Sequence, residues 1–175
     1  MLTDIDVETH ERVVSVKDDA AGLNAIIAIH STALGPAGGG CRLWTYGSDE
    51  LALQDALKLS QGMSYKNAMA GIPLGGGKAV IRGPISACQR KQVFAAFGRA
   101  VDALGGAYIT AEDVGVRVAD MLEVASQTAY VSGLSASNGI GGDPSPFTAR
   151  GVFCGIKAAV EHQFGTSDLA GLRVA

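Results

Sequence analysis

The sequence predicts an α/β protein with a three-layer α/β/α arrangement, in which helices cover both faces of a mostly parallel sheet. Apolar runs of strand length alternate with segments whose apolar residues recur at helical spacing. The run Ala25–His30 is almost continuously apolar, as expected for a strand that is covered on both faces. With 175 residues, 47% of them hydrophobic, the chain can bury one sizeable core. We therefore expect one domain over residues 1–168.

The first half of the chain should contain two strands and a long helix. The strands are expected at Glu11–Val16 and Ala25–His30, and a glycine-rich loop, Leu34–Arg42, follows them. Ser48 is the expected N-cap of the helix, because acidic residues follow it in the first turn. This helix should end near Ala70, before a glycine and a proline that stop it.

The second half continues the alternation of strands and helices. A strand is expected at Ala79–Ile81, followed by a helix that a capping box of Ser86 and Gln89 opens and Gly105 ends. A strand at Ala107–Thr110, a helix near Asp120–Gln127 and a strand-like Tyr130–Val131 come next. A glycine-rich turn at Asn138–Pro144 then leads to a helix that is capped by Ser145 and ended by Gly165.

The last residues suggest a fragment. Residues 169–175 begin another apolar strand, and no turn follows it. We expect them to open a further domain that is absent from this chain.

Composition and charge exclude several classes of protein. The net charge is −3, the pI is near 5.5, and the sequence has no basic run, so neither nucleic acid nor an anionic membrane is an expected partner. The start of the chain lacks a secretory signal, and no apolar stretch approaches membrane-spanning length. The odd number of cysteines and their wide spacing fit a reducing cytoplasm better than a disulfide framework or a zinc site. The cysteines are Cys41, Cys88 and Cys154.

The histidines give no metal-binding pattern. They are far apart in the sequence and have no acidic partners at ligand spacing, so we expect isolated polar residues and no metal site. They are His10, His30 and His162.

Two lysines at the ends of one short apolar turn are the main candidates for chemistry. Lys66 and Lys78 should approach one glycine-lined hollow, and holding two ammonium groups in a dry place costs free energy. Such a pair therefore indicates a site that binds an anion or transfers a proton. Burial beside a second cation can lower a lysine pKa from about 10.4 to about 7 or 8, where it can act as a base. Asp113, at the carboxyl end of a strand, could relay protons or hold an amino group.

These motifs also allow other interpretations. A phosphate-binding P-loop requires glycine and a hydroxyl residue at positions that hold Ile72 and Ala79 here, and no G-x-G-x-x-G dinucleotide fingerprint is present. Glycine runs are commonly turns, and a lysine such as Lys66 often only complements a helix dipole. From the residues alone, the catalytic and the purely structural interpretation both stay open.

A series of segments, in order, resembles the amino-acid dehydrogenases of the glutamate dehydrogenase superfamily, above all the leucine, valine and phenylalanine dehydrogenases. The segments are Leu34–Arg42, Trp44–Tyr46, Gly62–Ala68, Gly75–Lys78, Thr110–Gly115 and Pro144–Pro146. The resemblance implies NAD-dependent oxidative deamination of an L-amino acid to a 2-oxo acid and ammonia.

The resemblance also implies roles for individual residues. Lys66 would bind the substrate α-carboxylate, and Lys78 would be the general base that activates water. Asp113 would contact the amino group and assist proton transfer. The backbone of Gly39 and Gly40 would lie against the carboxylate.

Further positions would surround the bound substrate. The resemblance implies that Met63 and Ala111 lie beside it. Glutamate dehydrogenases carry a lysine where this chain has Gly38, so glutamate would lose its counter-ion here. Glycine should also deepen the pocket and admit branched-chain or aromatic amino acids.

The family has a second, Rossmann-type domain that binds NAD, and its members assemble as dimers or octamers. We therefore expect the isolated chain to be inactive and to self-associate. The alternative is a naturally short binding or assembly module without catalytic activity.

Overall fold

The computed structural model describes residues 1–134 and 144–173. Within these ranges the chain forms seven strands and four helices. The strands are β1 (Leu2–Ile5), β2 (Arg12–Asp18), β3 (Leu23–Ser31), β4 (Ala37–Gly38), β5 (Cys41–Trp44), β6 (Gly75–Arg82) and β7 (Tyr108–Ile109). The helices are α1 (Asp49–Met69), α2 (Arg90–Asp102), α3 (Val118–Ala125) and α4 (Ser145–Phe164).

The strands of the described ranges form one mixed sheet. Its order is β1-β2-β3-β6-β4-β7, and β5 also pairs with β6. Strands β4 and β5 run parallel to β6, and β4 runs parallel to β7. The pairs β1–β2, β2–β3 and β3–β6 are antiparallel, so the sheet is less parallel than expected. For the pairs β1–β2 and β2–β3 the reason is connectivity, because these strands follow one another without an intervening helix and return antiparallel through short connections. The α/β class is confirmed.

Helices cover both faces of the sheet, as predicted. The larger core lies between the sheet and helices α2 and α3, where Phe94, Phe97 and Tyr108 are fully buried. The smaller core lies under α1, where Ala52 and Ala56 pack on a patch formed by β2, β3 and β6. Helix α4 has no buried residue. None of the described helices combines the length and apolar content needed to cross a bilayer.

Several expected boundaries were wrong. Strand β1 was not expected, and β4 and β5 lie inside the segment that was expected to be a loop. Strand β6 already begins at Gly75, so its glycines belong to the sheet and not to a turn before it. Glycine has a low strand propensity, and only contacts with remote segments reveal why it is used here.

The expected helix ends were mostly confirmed. The Ser48 side chain accepts a hydrogen bond from the N–H of Leu51 at 3.2 Å and caps α1. Gly165, with φ 74°, ends α4. Ser145 was the wrong cap, because it is the first residue of α4 and Pro144 precedes it without a side-chain cap. Ser86 bonds to Gln89 as expected, but α2 begins only at Arg90.

The sequence predictions for the two segments that flank α4 have different outcomes. Residues 135–143, which contain most of the predicted turn at Asn138–Pro144, lie outside the described residues. Residues 169–173 form a turn and irregular structure instead of the expected strand, and residues 174–175 lie outside the description.

Candidate active site

Lys78 and Asp113 form an ion pair at the centre of the candidate site. Lys78 lies in β6, and its Nζ is 2.7 Å from Oδ2 of Asp113. The Lys78 side chain is only 7% exposed and that of Asp113 is 23% exposed. A buried ammonium group in direct contact with a carboxylate is costly to assemble, and such pairs are common at functional sites.

The backbone around Asp113 is held against β5. The N–H of Cys41 donates to the carbonyl of Ala111 at 2.8 Å, and the N–H of Leu43 donates to that of Val114 at 2.9 Å. The chain then turns at Gly115, where φ is +79° and a Cβ would lie 2.1 Å from the carbonyl oxygen of Leu43. Only glycine allows this turn, so the position of Asp113 follows from pairing on one side and a tight turn on the other.

The environment of Asp113 favours its ionised form. Burial alone would raise its pKa, but the bond to Lys78, the N–H of Val114 and the charge of Arg42 outweigh this effect and lower the pKa below its usual value. The neighbour of Lys78 is thus an acid, whereas the sequence suggested a second cation.

Gly39 and Gly40 lie next to the ion pair. A Cβ at Gly40 would be 2.9 Å from Cβ of Asp113, so the aspartate packs directly on this glycine. A Cβ at Gly39 would be 1.8 Å from the carbonyl oxygen of Gly77 and 3.1 Å from Cγ of Met63. Met63 is half-buried on α1, and this contact places it beside Gly39. No larger residue fits at either position.

Some of the peptide groups of these glycines already form hydrogen bonds within the fold. The buried hydroxyl of Tyr108 donates to the carbonyl of Gly39 at 2.6 Å. The N–H of Gly39 donates to the carbonyl of Ile109 at 3.1 Å. Because this N–H is used, a substrate carboxylate would have to meet another part of the Gly39–Gly40 backbone.

Asn67 is a site residue that the sequence did not single out. It is 4% exposed, and its Nδ2 donates to the carbonyl of Gly75 at 2.6 Å and to that of Gly38 at 3.3 Å. It therefore ties the end of α1 to both β6 and β4. Asparagine is a poor helix former, so its place within a predicted helix is the signal that could have pointed to it.

Lys66 lies one residue before Asn67 in the last turn of α1, and it is exposed. The dry surroundings that were expected for both lysines are thus found for Lys78 and not for Lys66 in this chain. The position of Asn67 fixes the helix end that carries Lys66, but a hollow shared by the two lysines stays a prediction.

The space beside Gly38 is occupied. A Cβ at this position would be 2.9 Å from Cδ1 of Leu74 and 3.4 Å from Cβ of the same residue. Leu74 therefore fills part of the room that the glycine was expected to open. Ala111 is half-buried, and its carbonyl accepts the N–H of Cys41.

Arg42 is the second cation at Asp113, and its sequence position alone did not indicate this contact. Its Nε is 3.3 Å from Oδ2 of Asp113, and its Nη1 is 3.0 Å from Oδ2 of Asp55. Tyr46 donates its hydroxyl to the same oxygen of Asp55. Burial acts against the charge of Arg42, but the two carboxylates outweigh it and raise the pKa of the guanidinium.

The expected isolation of the histidines was wrong for two of them. The rings of His10 and His30 meet edge to face, with centroids 5.0 Å apart, and serines of α1 bond to both. Burial lowers the pKa of His10, and the neighbouring His30 adds to this effect. The described residues contain no group of three or more histidine, cysteine or acidic side chains arranged to hold a metal ion.

Comparisons with known proteins find a matching family model and similar proteins. Residues 7–130 match the family model described as Glu/Leu/Phe/Val dehydrogenase, dimerisation domain. A leucine dehydrogenase from Bacillus subtilis is 52% identical over 166 residues, which are 95% of this chain and 46% of that protein. A valine dehydrogenase from Streptomyces virginiae is 53% identical over 165 residues, covering 94% of this chain and 46% of the relative.

Among solved structures, the L-tryptophan dehydrogenase from Nostoc punctiforme is similar, with a TM-score of 0.69 and 42% identity. The similarity covers 94% of this chain and 46% of that one. The chain thus spans less than half the length of these relatives.

Proposed function

Since the chain belongs to the Glu/Leu/Phe/Val dehydrogenase family, we propose that it is the substrate-binding part of an NAD-dependent dehydrogenase that converts apolar L-amino acids to 2-oxo acids and ammonia. The buried contact of 2.7 Å between Lys78 and Asp113 is the observation that carries this proposal. It joins a base and an acid in a setting where a proton can pass directly between them.

In the proposed reaction, Lys78 and Asp113 share the proton transfers. Lys78 first passes its proton to Asp113 across their contact of 2.7 Å, and the free amine then takes a proton from the water that attacks the imino group of the oxidised substrate. The protonated Asp113 gives its proton to the amino group, which leaves as ammonia, so that the pair returns to its starting state of ammonium and carboxylate. Lys66, exposed at the end of α1, is free to hold the substrate α-carboxylate.

The proposed substrates are branched-chain or aromatic amino acids. Gly38 offers no cation to a distal carboxylate, and the side chain nearest to its missing Cβ is Leu74. An acidic substrate would therefore bury a charge beside an apolar group. Because Leu74 takes part of the space, the pocket is shaped by this leucine as well as by the glycine.

The cofactor would be held outside this chain. The sequence has no G-x-G-x-x-G, and the glycines of β6 are closely covered by Ser31, Ser64 and Tyr108, which leaves no cradle for a pyrophosphate. NAD would accept the hydride from the substrate Cα. The residues described here do not form a site for it, so we expect the 175-residue chain to be inactive on its own.

Self-association and a cytoplasmic location complete the proposal. The matching family model is described as a dimerisation domain, which supports a homo-oligomer such as a dimer or an octamer. All three cysteines are free, which fits a reducing compartment.

A substrate panel tests the proposed function. The complete gene product that contains this chain should be assayed with NAD and leucine, valine, phenylalanine, tryptophan or glutamate. We expect turnover of apolar substrates and a kcat/KM for glutamate lower by about 100-fold or more, because no cation meets its distal carboxylate. The 175-residue chain alone and reactions without NAD serve as controls. Glutamate as the best substrate, or no turnover of any amino acid, would overturn the proposal.

A further inference from the structure

Both cations that contact Asp113 reach the same carboxylate oxygen. Nζ of Lys78 and Nε of Arg42 lie 2.7 Å and 3.3 Å from Oδ2. A carboxylate that is held at one oxygen by two donors from different strands has little freedom to rotate. The orientation of the acid is therefore determined by Arg42 as well as by Lys78.

Arg42 is itself held in place from α1. Its Nη1 bonds Oδ2 of Asp55 at 3.0 Å, and Tyr46 donates to that oxygen. In β5, Arg42 stands opposite Val80 of β6, two residues beyond Lys78 along the strand. The guanidinium thus links a helix to the carboxylate at the centre of the site.

The charges of this cluster balance. Lys78 and Arg42 supply two positive charges, and Asp113 and Asp55 supply two negative charges. The four side chains are largely shielded, with exposed fractions of 7% for Lys78, 23% for Asp113, 24% for Arg42 and 28% for Asp55. Loss of the guanidinium would leave the shielded carboxylates with one cation between them, which changes the protonation and orientation of Asp113.

We propose that Arg42 is a positioning residue that holds Oδ2 of Asp113 against Lys78. Its effect on catalysis rests on the proposed function, whereas its effect on the carboxylate does not. It acts through Asp113, and the planar guanidinium matters because it contacts two carboxylates at once through different nitrogens.

The ionisable groups that face Asp113 set the direction of the pH effect. They are Lys78 from β6 and Arg42 from β5, together with the buried Cys41 and Tyr108. Burial raises the pKa of Cys41 to about 12 and that of Tyr108 well above its usual value, so both are neutral near pH 7. Arg42 is one of the groups that lower the pKa of Asp113, so its removal should let that pKa rise.

Carboxyl-carbon NMR of the 175-residue chain tests the contact without any need for activity. We expect the titration midpoint of Asp113 to rise by about half a pH unit or more in Arg42→Gln, and to rise less in Arg42→Lys, which keeps the charge. Arg12→Gln is the matched control, because Arg12 pairs with Asp4 at 2.8 Å on an exposed surface. An unchanged midpoint in a folded Arg42→Gln or Arg42→Lys chain would overturn the proposal.

Kinetics of the complete gene product test the positioning. In Arg42→Gln we expect kcat to fall about 10-fold to 100-fold, with a smaller change in KM, and the acidic limb of the kcat/KM profile to move to higher pH. Arg42→Lys should show a smaller fall in kcat and a smaller shift of the acidic limb than Arg42→Gln. A shifted Asp113 midpoint with an unchanged kcat and pH profile would overturn the positioning role. If the wild-type protein turns over no amino acid, the proposed function fails, and the NMR result alone decides for Arg42.

Discussion

Strand β6 and the last turn of α1 each supply one lysine of the proposed site, but in opposite settings. Lys78 on the strand is 7% exposed and contacts a carboxylate, whereas Lys66 on the helix is exposed. On the strand side, the contact between Lys78 and Asp113 is therefore formed within the chain and is shielded from solvent. The helix side is an open rim that can meet a carboxylate from solution. The proposed site would thus combine one buried lysine with one exposed lysine.

The glycines of the two regions also differ in how closely other atoms surround them. A Cβ at Gly76 in β6 would lie 2.3 Å from the backbone nitrogen of Ser64 and 2.5 Å from the carbonyl oxygen of Ser60, both in α1. A Cβ at Gly62 in α1 would meet nothing within 4 Å. Helix α1 packs on β6 at the minimum distance that glycine allows, and the same helix is open on its outer side.

The largest expected effect comes from filling the tight contact. Gly76→Ala should lower the free energy of unfolding by about 3 kcal/mol, because α1 must move away from β6. Gly62→Ala should raise it by up to about 1 kcal/mol, because alanine favours the helix. Urea unfolding followed by circular dichroism measures both. Equal changes in the two variants would show that the two sides of α1 do not differ in packing.

A smaller difference in stability is expected between variants of the two lysines. Lys78→Met leaves the partly buried Asp113 with one cation fewer and should cost about 1 to 3 kcal/mol at pH 7. Lys66→Met removes an exposed charge and should change stability by less than about 0.5 kcal/mol.

The double variant Lys78→Met with Asp113→Asn serves as a control for this comparison. It should recover part of the loss, since the carboxylate that lost its lysine partner is removed as well. A stability loss at Lys66 as large as that at Lys78 would contradict the burial difference between the two regions.

The sequence predicted the elements whose signals are local. Ser48 and Gly165 mark helix ends through their own chemistry, and β3 is a long apolar run. The sequence did not reveal β1, which is a short, partly exposed edge strand. Nor did it reveal that the glycines of β6 lie in the sheet, because the groups that require them belong to Ser31, Ser64 and Tyr108, which are distant in the chain.

The candidate site was predictable to a similar extent. The motifs around Lys78 and Asp113 identified residues that the structure brings into contact. The supporting contacts were missed because they join remote segments. Arg42 lies 71 residues before Asp113, and Tyr108 bonds to the carbonyl of Gly39 across 69 residues. No local pattern encodes such contacts.

A kinetic comparison of Lys78→Ala with Lys66→Ala in the complete gene product tests the central claim most directly. If Lys78 is the base and Lys66 only binds the carboxylate, Lys78→Ala should lower kcat about 1000-fold, and Lys66→Ala should mainly raise KM for the amino acid. A kcat near that of the wild type in Lys78→Ala would contradict the assignment of the buried lysine to proton transfer.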